Sequence, residues 1–213
     1  MSEKRAALPE TIPIFPLAGV LLLPRGHLPL NIFEPRYLAM TRDALKGEPL
    51  IGMIQPTDPA SADCNPPVYR VGCAGRISAF AETPDGRYLI TLTGVARFRV
   101  RAELPLRNGY RRVEAEWVAD REGEEEASFD RERLLRGLVL YFTQRGIAAD
   151  WQAIRKASGE RLVTALAMLS PFAPSEKQAL LEAPDLGERA RLLTALVEMA
   201  ALDRSRQHPT SRN

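Results

Sequence analysis

The apolar positions of this chain keep two different periods, and the change falls near residue 120. Before it they come in short runs and alternations, the period of strands. After it they recur three and four residues apart, the period of helices. Ile12 to Leu17 is apolar but carries Pro13 and Pro16, so it reads as an edge strand or a strand entry, because proline cannot donate to a ladder. Val20 to Leu23 is a short apolar run closed by Pro24 and Gly26, and Leu28, Leu30 and Ile32 alternate with Pro29, Asn31 and Phe33. The period then switches. Pro35 suits the first turn of a helix, Tyr37, Leu38, Ala44 and Leu45 fall on one helical face, and Gly47 suits a left-handed position at the end, which predicts a helix over 35–46.

Leu50 to Gln55 reads as a buried strand, and 56–67, with Pro56, Pro59, Pro66 and Pro67, as an irregular surface loop. Tyr69 to Phe80 and Arg87 to Thr93 pair around a Thr83-Pro84-Asp85-Gly86 turn, in which proline sets φ and glycine accepts the left-handed exit. Gly94 marks a bend, Val95 to Glu103 continues, Leu104 to Gly109 connects, and Tyr110 to Ala119 is a last strand. Arg121 to Glu126 is a charged segment. Beyond it, Phe129, Leu134, Leu135, Leu138, Val139 and Phe142 run at helical spacing to Gly146, and Trp151 with Ile154 opens a short helix. Leu162, Ala165, Leu166 and Leu169 make another, stopped by Pro171. Ser175 with Gln178 has capping-box spacing, and Asp185 with Glu188 starts a last helix through Leu192, Leu193, Leu196, Val197 and Met199. The chain is therefore read as α+β: a β-rich subdomain over 10–120, a helical bundle subdomain over 121–204, and a polar, disordered tail over 205–213.

Composition narrows the function more by exclusion than by indication. The 213 residues are 45% hydrophobic and 26% charged, with a net charge of +2, too small to imply a nucleic-acid partner by itself. Cys64 and Cys73 make no disulfide framework and read as a reduced pair, while His27 and His208 are too scattered for a zinc site. The start of the chain lacks an apolar signal segment and no run approaches the roughly 20 residues that span a bilayer, so the expectation is a cytoplasmic protein with no membrane contact. No G-x-x-x-x-G-K-[ST], G-x-S-x-G or H-E-x-x-H occurs. His27 sits in a turn and His208 in the tail. The four lysines, Lys4, Lys46, Lys156 and Lys177, all stand in polar contexts, where a nucleophilic amine is not activated. No catalytic residue, metal ligand or cofactor is assigned. A distant carboxylate pair, or a ligand groove between the β and helical halves, is what keeps an enzyme reading open.

Certain segments carry a resemblance. Ile12-Pro13-Ile14-Phe15-Pro16-Leu17, Leu23-Pro24 and Leu28-Pro29-Leu30-Asn31-Ile32-Phe33-Glu34-Pro35-Arg36-Tyr37 resemble the opening of the Lon protease N-terminal domain, and the Phe-Glu-Pro-Arg-Tyr stretch resembles stand-alone bacterial members and the Lon-like domain of certain RING-finger proteins. Val71 to Ile77, Pro84-Asp85-Gly86, Leu92 to Phe98 and Leu169 to Met199 continue it, so the likeness covers about 10 to 204. The resemblance implies a twisted β pseudo-barrel, PUA-like, with one short helix, followed by a C-terminal α-helical bundle. It also implies a part in binding unfolded substrate proteins, with the ATPase and Ser–Lys protease domains absent from these residues.

Three groups of residues then have two readings each. Glu34 and Arg36 are either a ligand-binding pair or a structural one, with Glu34 at a helix N-terminus, Arg36 reaching a carboxylate or loop carbonyl, and Tyr37 in the core. Arg97, Arg99 and Arg101 alternate on one strand face, followed by Arg107, Arg111 and Arg112. They form either an RNA or acidic-partner surface or a solvated face paired across strands with Glu114 and Glu116. Val20 to Leu23 is either an exposed strand for unfolded peptides or a buried one. The helix stripes at 134–142 and 192–199 read as core. The leading expectation is a non-catalytic protein- or peptide-binding module, with unfolded proteins or peptides, or a protease or chaperone, as partner. Its binding residues are unassigned and its state is a monomer or weak dimer. The alternative is an RNA-binding protein using the Arg-rich strand face.

Overall fold

The computed structural model describes residues 8–119 and 129–207, with side chains to 202. The charged segment expected at 121–126 and the last six residues, with His208, lie outside the described residues, as does Lys4. The chain divides into two compact units, 1–120 and 121–213.

The first unit contains β1 (Thr11–Pro16), β2 (His27–Ile32), α1 (Pro35–Lys46), β3 (Leu50–Ile54), β4 (Val71–Glu82), β5 (Tyr88–Arg107) and β6 (Tyr110–Val118). The sheet order is β2-β5-β4-β3-β1-β6, and β6 also pairs with β5. Strands β1, β3, β4, β5 and β6 thus close into a ring, the pseudo-barrel, and β2 stands outside it on the first half of β5. Twenty residues let β5 serve both neighbours: Tyr88 to Thr93 face β2, and Arg97 to Arg107 face β6. Ile12, Ile14, Ile54, Ala74, Phe98, Val113 and Ala115 fill the interior, with Trp117 against Phe98 at 6.2 Å between ring centres.

Several expectations are corrected here. β1 is not an edge: it runs parallel to β3 and antiparallel to β6. Its prolines are tolerated because the β3 ladder begins at Ile14, after Pro13, and Pro16 ends it. Val20 to Leu23 is no strand. It is irregular backbone whose three leucines are fully buried, held by Arg25 N–H donating to Gly94 O at 2.9 Å and Gly94 N–H to Gly26 O at 2.8 Å. The 104–109 connection is shorter than expected. β5 continues through an irregularity that absorbs Pro105, and Asn108-Gly109 alone turns the chain, with φ of 49° and 82°. Both positive, these are the angles of the two-residue turn that matches strand twist and favours Asn-Gly. α1 keeps its predicted bounds, but its buried face is Tyr37, Met40, Thr41 and Ala44; Leu45 is exposed, and Gly47 ends the helix without a left-handed backbone.

The second unit contains α2 (Arg131–Arg145), α3 (Trp151–Lys156), α4 (Gly159–Leu169), α5 (Pro174–Glu182) and α6 (Leu186–Gln207). α6 therefore extends past residue 204, where the polar tail was expected to begin. Leu134, Leu138 and Tyr141 of α2 are buried, as are Ala190, Leu193, Val197 and Ala201 of α6, at helical spacing. Arg133 grips Glu198 with two 2.8 Å bonds. The stripes expected as core are partly surface: Val139 and Met199 are exposed, as are Ala165 and Leu169 in α4, where Val163 and Ala167 are buried instead. The cap of α5 is also shifted. Pro174 leads the helix and Glu176 accepts from the Ala173 N–H at 2.7 Å, while Asp185 caps α6 by accepting from Glu188 N–H at 2.8 Å. Three basic side chains each close another helix's open carbonyl end. Arg131 donates to Ile154, Arg155 and Ala157 O, Lys177 to Met168 O, and Arg189 to Leu180 O.

Candidate functional site

Glu34, Arg36 and Tyr37 come together at the start of α1, and the geometry is structural. Arg36 Nε donates to Glu34 Oε2 at 2.9 Å, its Nη1 donates to Cys64 O at 2.6 Å, and its guanidinium lies 4.5 Å from the Tyr37 ring centre. Tyr37 is buried against Phe15, and that burial raises its phenol above the ordinary range. The 56–67 loop is thus tethered. Asp58, Ser61 and Asp63 side chains accept from backbone N–H groups two residues on. Arg111, itself buried, donates to Pro66 O at 2.7 Å and to both oxygens of Glu103. Cys64 is exposed on this loop and Cys73 is buried in β4, and the two form no disulfide with each other. His27 is exposed and shares a 3.1 Å hydrogen bond with Thr93 Oγ1.

The Arg-rich face does not exist as one surface. Arg97 is 4% exposed. Arg99 lies opposite Glu116, but a bulge between Val100 and Ala102 then puts Ala102, not Arg101, opposite Glu114. Arg107 pairs with Asp43 at 3.5 Å, Arg112 donates to Pro105 O, and Arg111 is the loop anchor. Asp43 also accepts from Tyr110 Oη at 2.8 Å and Asn108 Nδ2 at 3.1 Å, bonds that hold its carboxyl below the ordinary value. Burial, and then that carboxylate, push the Tyr110 phenol up to about 12. Lys177 corrects the reading that every lysine sits in a polar context: it is buried, which lowers its pKa, and it serves α4 as above.

What the structure does offer is an open apolar surface where β2, the start of β5 and the end of β4 lie side by side. Leu30 and Phe80 flank Ile90 on one face; Asn31 and Ala81 flank Leu89 on the other. Ile90 is buried, but Phe80 is 44% and Leu89 47% exposed, and a shallow depression runs along Pro29, Leu30, Asn31, Phe80 and Leu89. Phe33, just past β2, is 63% exposed. Apolar side chains shown on both faces of a three-stranded flap mark a place where another molecule can be held. Sequence reasoning missed Phe80 and Leu89. The signal was present: Leu89 falls on the outward parity of Tyr88-Leu89-Ile90-Thr91-Leu92, where a polar residue is expected. Among the described residues no group of three or more His, Cys, Asp and Glu is placed to hold a metal, and no helix is long and apolar enough to cross a membrane.

Residues 11–199 match the family model described as the ATP-dependent protease La (LON) substrate-binding domain. Lon protease 2 of Myxococcus xanthus is 26% identical over 200 residues, covering 89% of this chain and 24% of that protein. Lon protease 2 of Sorangium cellulosum is 30% identical over 202 residues, covering 88% of this chain and 24% of its own length. The chain thus spans about a quarter of the length of these relatives. Among solved structures, the Lon N-terminal domain protein from Xanthomonas campestris superposes with a TM-score of 0.63 at 26% identity, covering 87% of this chain and 97% of that one. The N-terminal domain of Mycobacterium avium complex Lon protease has a TM-score of 0.59 at 18% identity, covering 88% and 97%, and shares the fold.

Proposed function

The chain belongs to the LON substrate-binding domain family, and from that premise we propose that it is a recognition module that binds unfolded protein segments and does no chemistry on them itself. The family match over residues 11–199 carries the reading. The exposed flap around Phe80 and Leu89 supports it, because unfolded chains present the apolar side chains that such a surface takes out of water. The side chains that could have suggested catalysis are engaged elsewhere: Lys177 closes a helix end, Arg36 and Arg111 tether a loop, and His27 bonds Thr93. The dispersal of the Arg face removes the motive for the RNA alternative.

The test is affinity capture from lysate of the organism's own cells with the full 213-residue chain, with and without nuclease. The expected result is nuclease-resistant retention of poorly folded proteins, together with any protease or chaperone that acts on them. Loss of the retained material on nuclease treatment would overturn the reading, as would ATP-dependent proteolysis by the pure chain.

A further inference from the structure

We propose that the outer edge of β2 binds its client by strand addition, taking an extended segment with alternating apolar residues; this rests on the recognition-module reading and names how the module holds its substrate. In the first unit every other strand has a partner on both sides, and among the described residues none pairs with the outer edge of β2. The register shows which backbone groups that edge offers. Gly94 N–H donates to Gly26 O, and the ladder runs on as His27 opposite Thr93 and Leu28 opposite Leu92. In an antiparallel ladder, bonded and non-bonded pairs alternate. Leu28, Leu30 and Ile32 therefore turn their N–H and C=O groups to β5, and His27, Pro29 and Asn31 turn theirs outward. The outward set is two N–H groups, of His27 and Asn31, and the C=O groups of all three. Pro29 fits this assignment, since its missing donor falls on the side with no neighbour.

Sheet edges are ordinarily protected by charge, by bulges or by cover. This one carries neither Lys, Arg, Asp nor Glu in His27-Leu28-Pro29-Leu30-Asn31-Ile32, and its residues 27, 29 and 31 are exposed. It is flanked by the apolar flap, with Leu30 half-buried on one face and Leu89 exposed on the other. An incoming strand finds backbone partners and apolar neighbours on both faces, which is the requirement of a segment with hydrophobic residues and an unsatisfied main chain.

Pro29 also decides between a client and a second copy of this chain. Two β2 edges paired about a two-fold axis centred on Pro29 would set Pro29 against Pro29, so that two carbonyls meet where two N–H···O bonds should form. A client strand gives up a single bond there. The proline thus blunts self-pairing while leaving the edge open to other chains.

The experiment uses the full chain and a fluorescein-labelled octapeptide of alternating valine, leucine and threonine with lysine at each end. Its counterpart is N-methylated at the four central amides, which blocks both of its edges with the side chains unchanged. The expected result is binding of the first peptide and at least tenfold weaker binding of the second. Asn31→Pro removes one outward donor without touching the β5 ladder and weakens the first peptide about fivefold, while Pro29→Ala restores a donor, tightens it by a similar factor and gives a concentration-dependent dimer. Equal binding of the two peptides overturns strand addition and leaves the recognition reading standing on the apolar flap alone. Binding of neither peptide nor of a chemically unfolded protein overturns both.

Discussion

Gly94→Ala should be the most damaging single-methyl change in the first unit. A Cβ at residue 94 would sit 2.0 Å from the Leu23 carbonyl oxygen and 2.8 Å from its carbon, against the 3.0 Å that real Cβ contacts respect. Both neighbours are backbone, so no side chain can swing away; the 21–26 segment must retreat by about 1 Å. That segment is held by the bonds of Gly94 to Arg25 and Gly26, each contributing about 1 kcal/mol, and it carries Leu21, Leu22 and Leu23 into the core. Partial loss of both bonds, about 1 kcal/mol together, with about 1–3 kcal/mol of overpacking, gives about 2–4 kcal/mol. Gly86→Ala is the comparison. Its φ is +81° with nothing within 4 Å of the added methyl, so only the left-handed backbone opposes it, at about 1–2 kcal/mol. Urea unfolding in a Trp151→Phe background, where Trp117 fluorescence reports the first unit alone, measures both. A Gly94→Ala midpoint no lower than that of Gly86→Ala, at unchanged slope, would refute the packing argument.

Tyr110 ties stability to alkaline pH. Its pKa is raised to about 12 from 10, so its contribution is complete below pH 10 and is lost as pH climbs from 10 to 12; the wild type should therefore lose more stability than Tyr110→Phe between pH 9 and 11.5 in urea titrations. Asp43, held low by Tyr110, works at the other end: its contribution is present above about pH 4 and fades as acid approaches its lowered pKa, an effect Asp43→Asn abolishes. Arg111→Ala strands the Pro66 carbonyl and leaves Arg36 as the remaining arginine tether of the 56–67 loop, and should lower stability by about 2 kcal/mol while speeding limited proteolysis between 58 and 65. A disulfide reagent should titrate one thiol, Cys64, in the native chain and the second, Cys73, only in urea; two fast thiols would contradict the burial of Cys73.

Local chemistry that a few adjacent residues settle was readable from the sequence. α1 begins at Pro35 and ends at Lys46 as expected, and the Thr83 to Gly86 turn forms because proline and glycine fix its angles within the segment itself. The β-then-α order followed from hydrophobic period. What could not be read depends on distant partners. Val20 to Leu23 has the composition of a strand, but the first half of β5 is paired with β2 and the leucines fill the interior without a ladder. Arg97 and Arg101 alternate with Phe98 and Val100, yet burial removes one and a bulge displaces the other. The helical faces were displaced by a position or two, as at Leu169, because which side of α4 is covered is set by the helices around it and not by its own sequence. One miss was avoidable: Asn108-Gly109 is a two-residue hairpin signal in its own right. Of the candidate surface, the alternation in β2 was seen, but that its outer edge stays open follows only from β6 closing the ring onto β5.

Recognition of unfolded chains is tested by a fluorescence anisotropy titration of the 213-residue chain against one labelled protein in two forms, native with its disulfides intact, and reduced and carboxymethylated so that it cannot fold. Saturable binding of the unfolded form is expected, at least tenfold tighter than that of the native form and little changed between 50 and 200 mM salt, because apolar contacts and backbone bonds dominate. Equal affinity for the two forms, or binding that vanishes over that salt range, would contradict it.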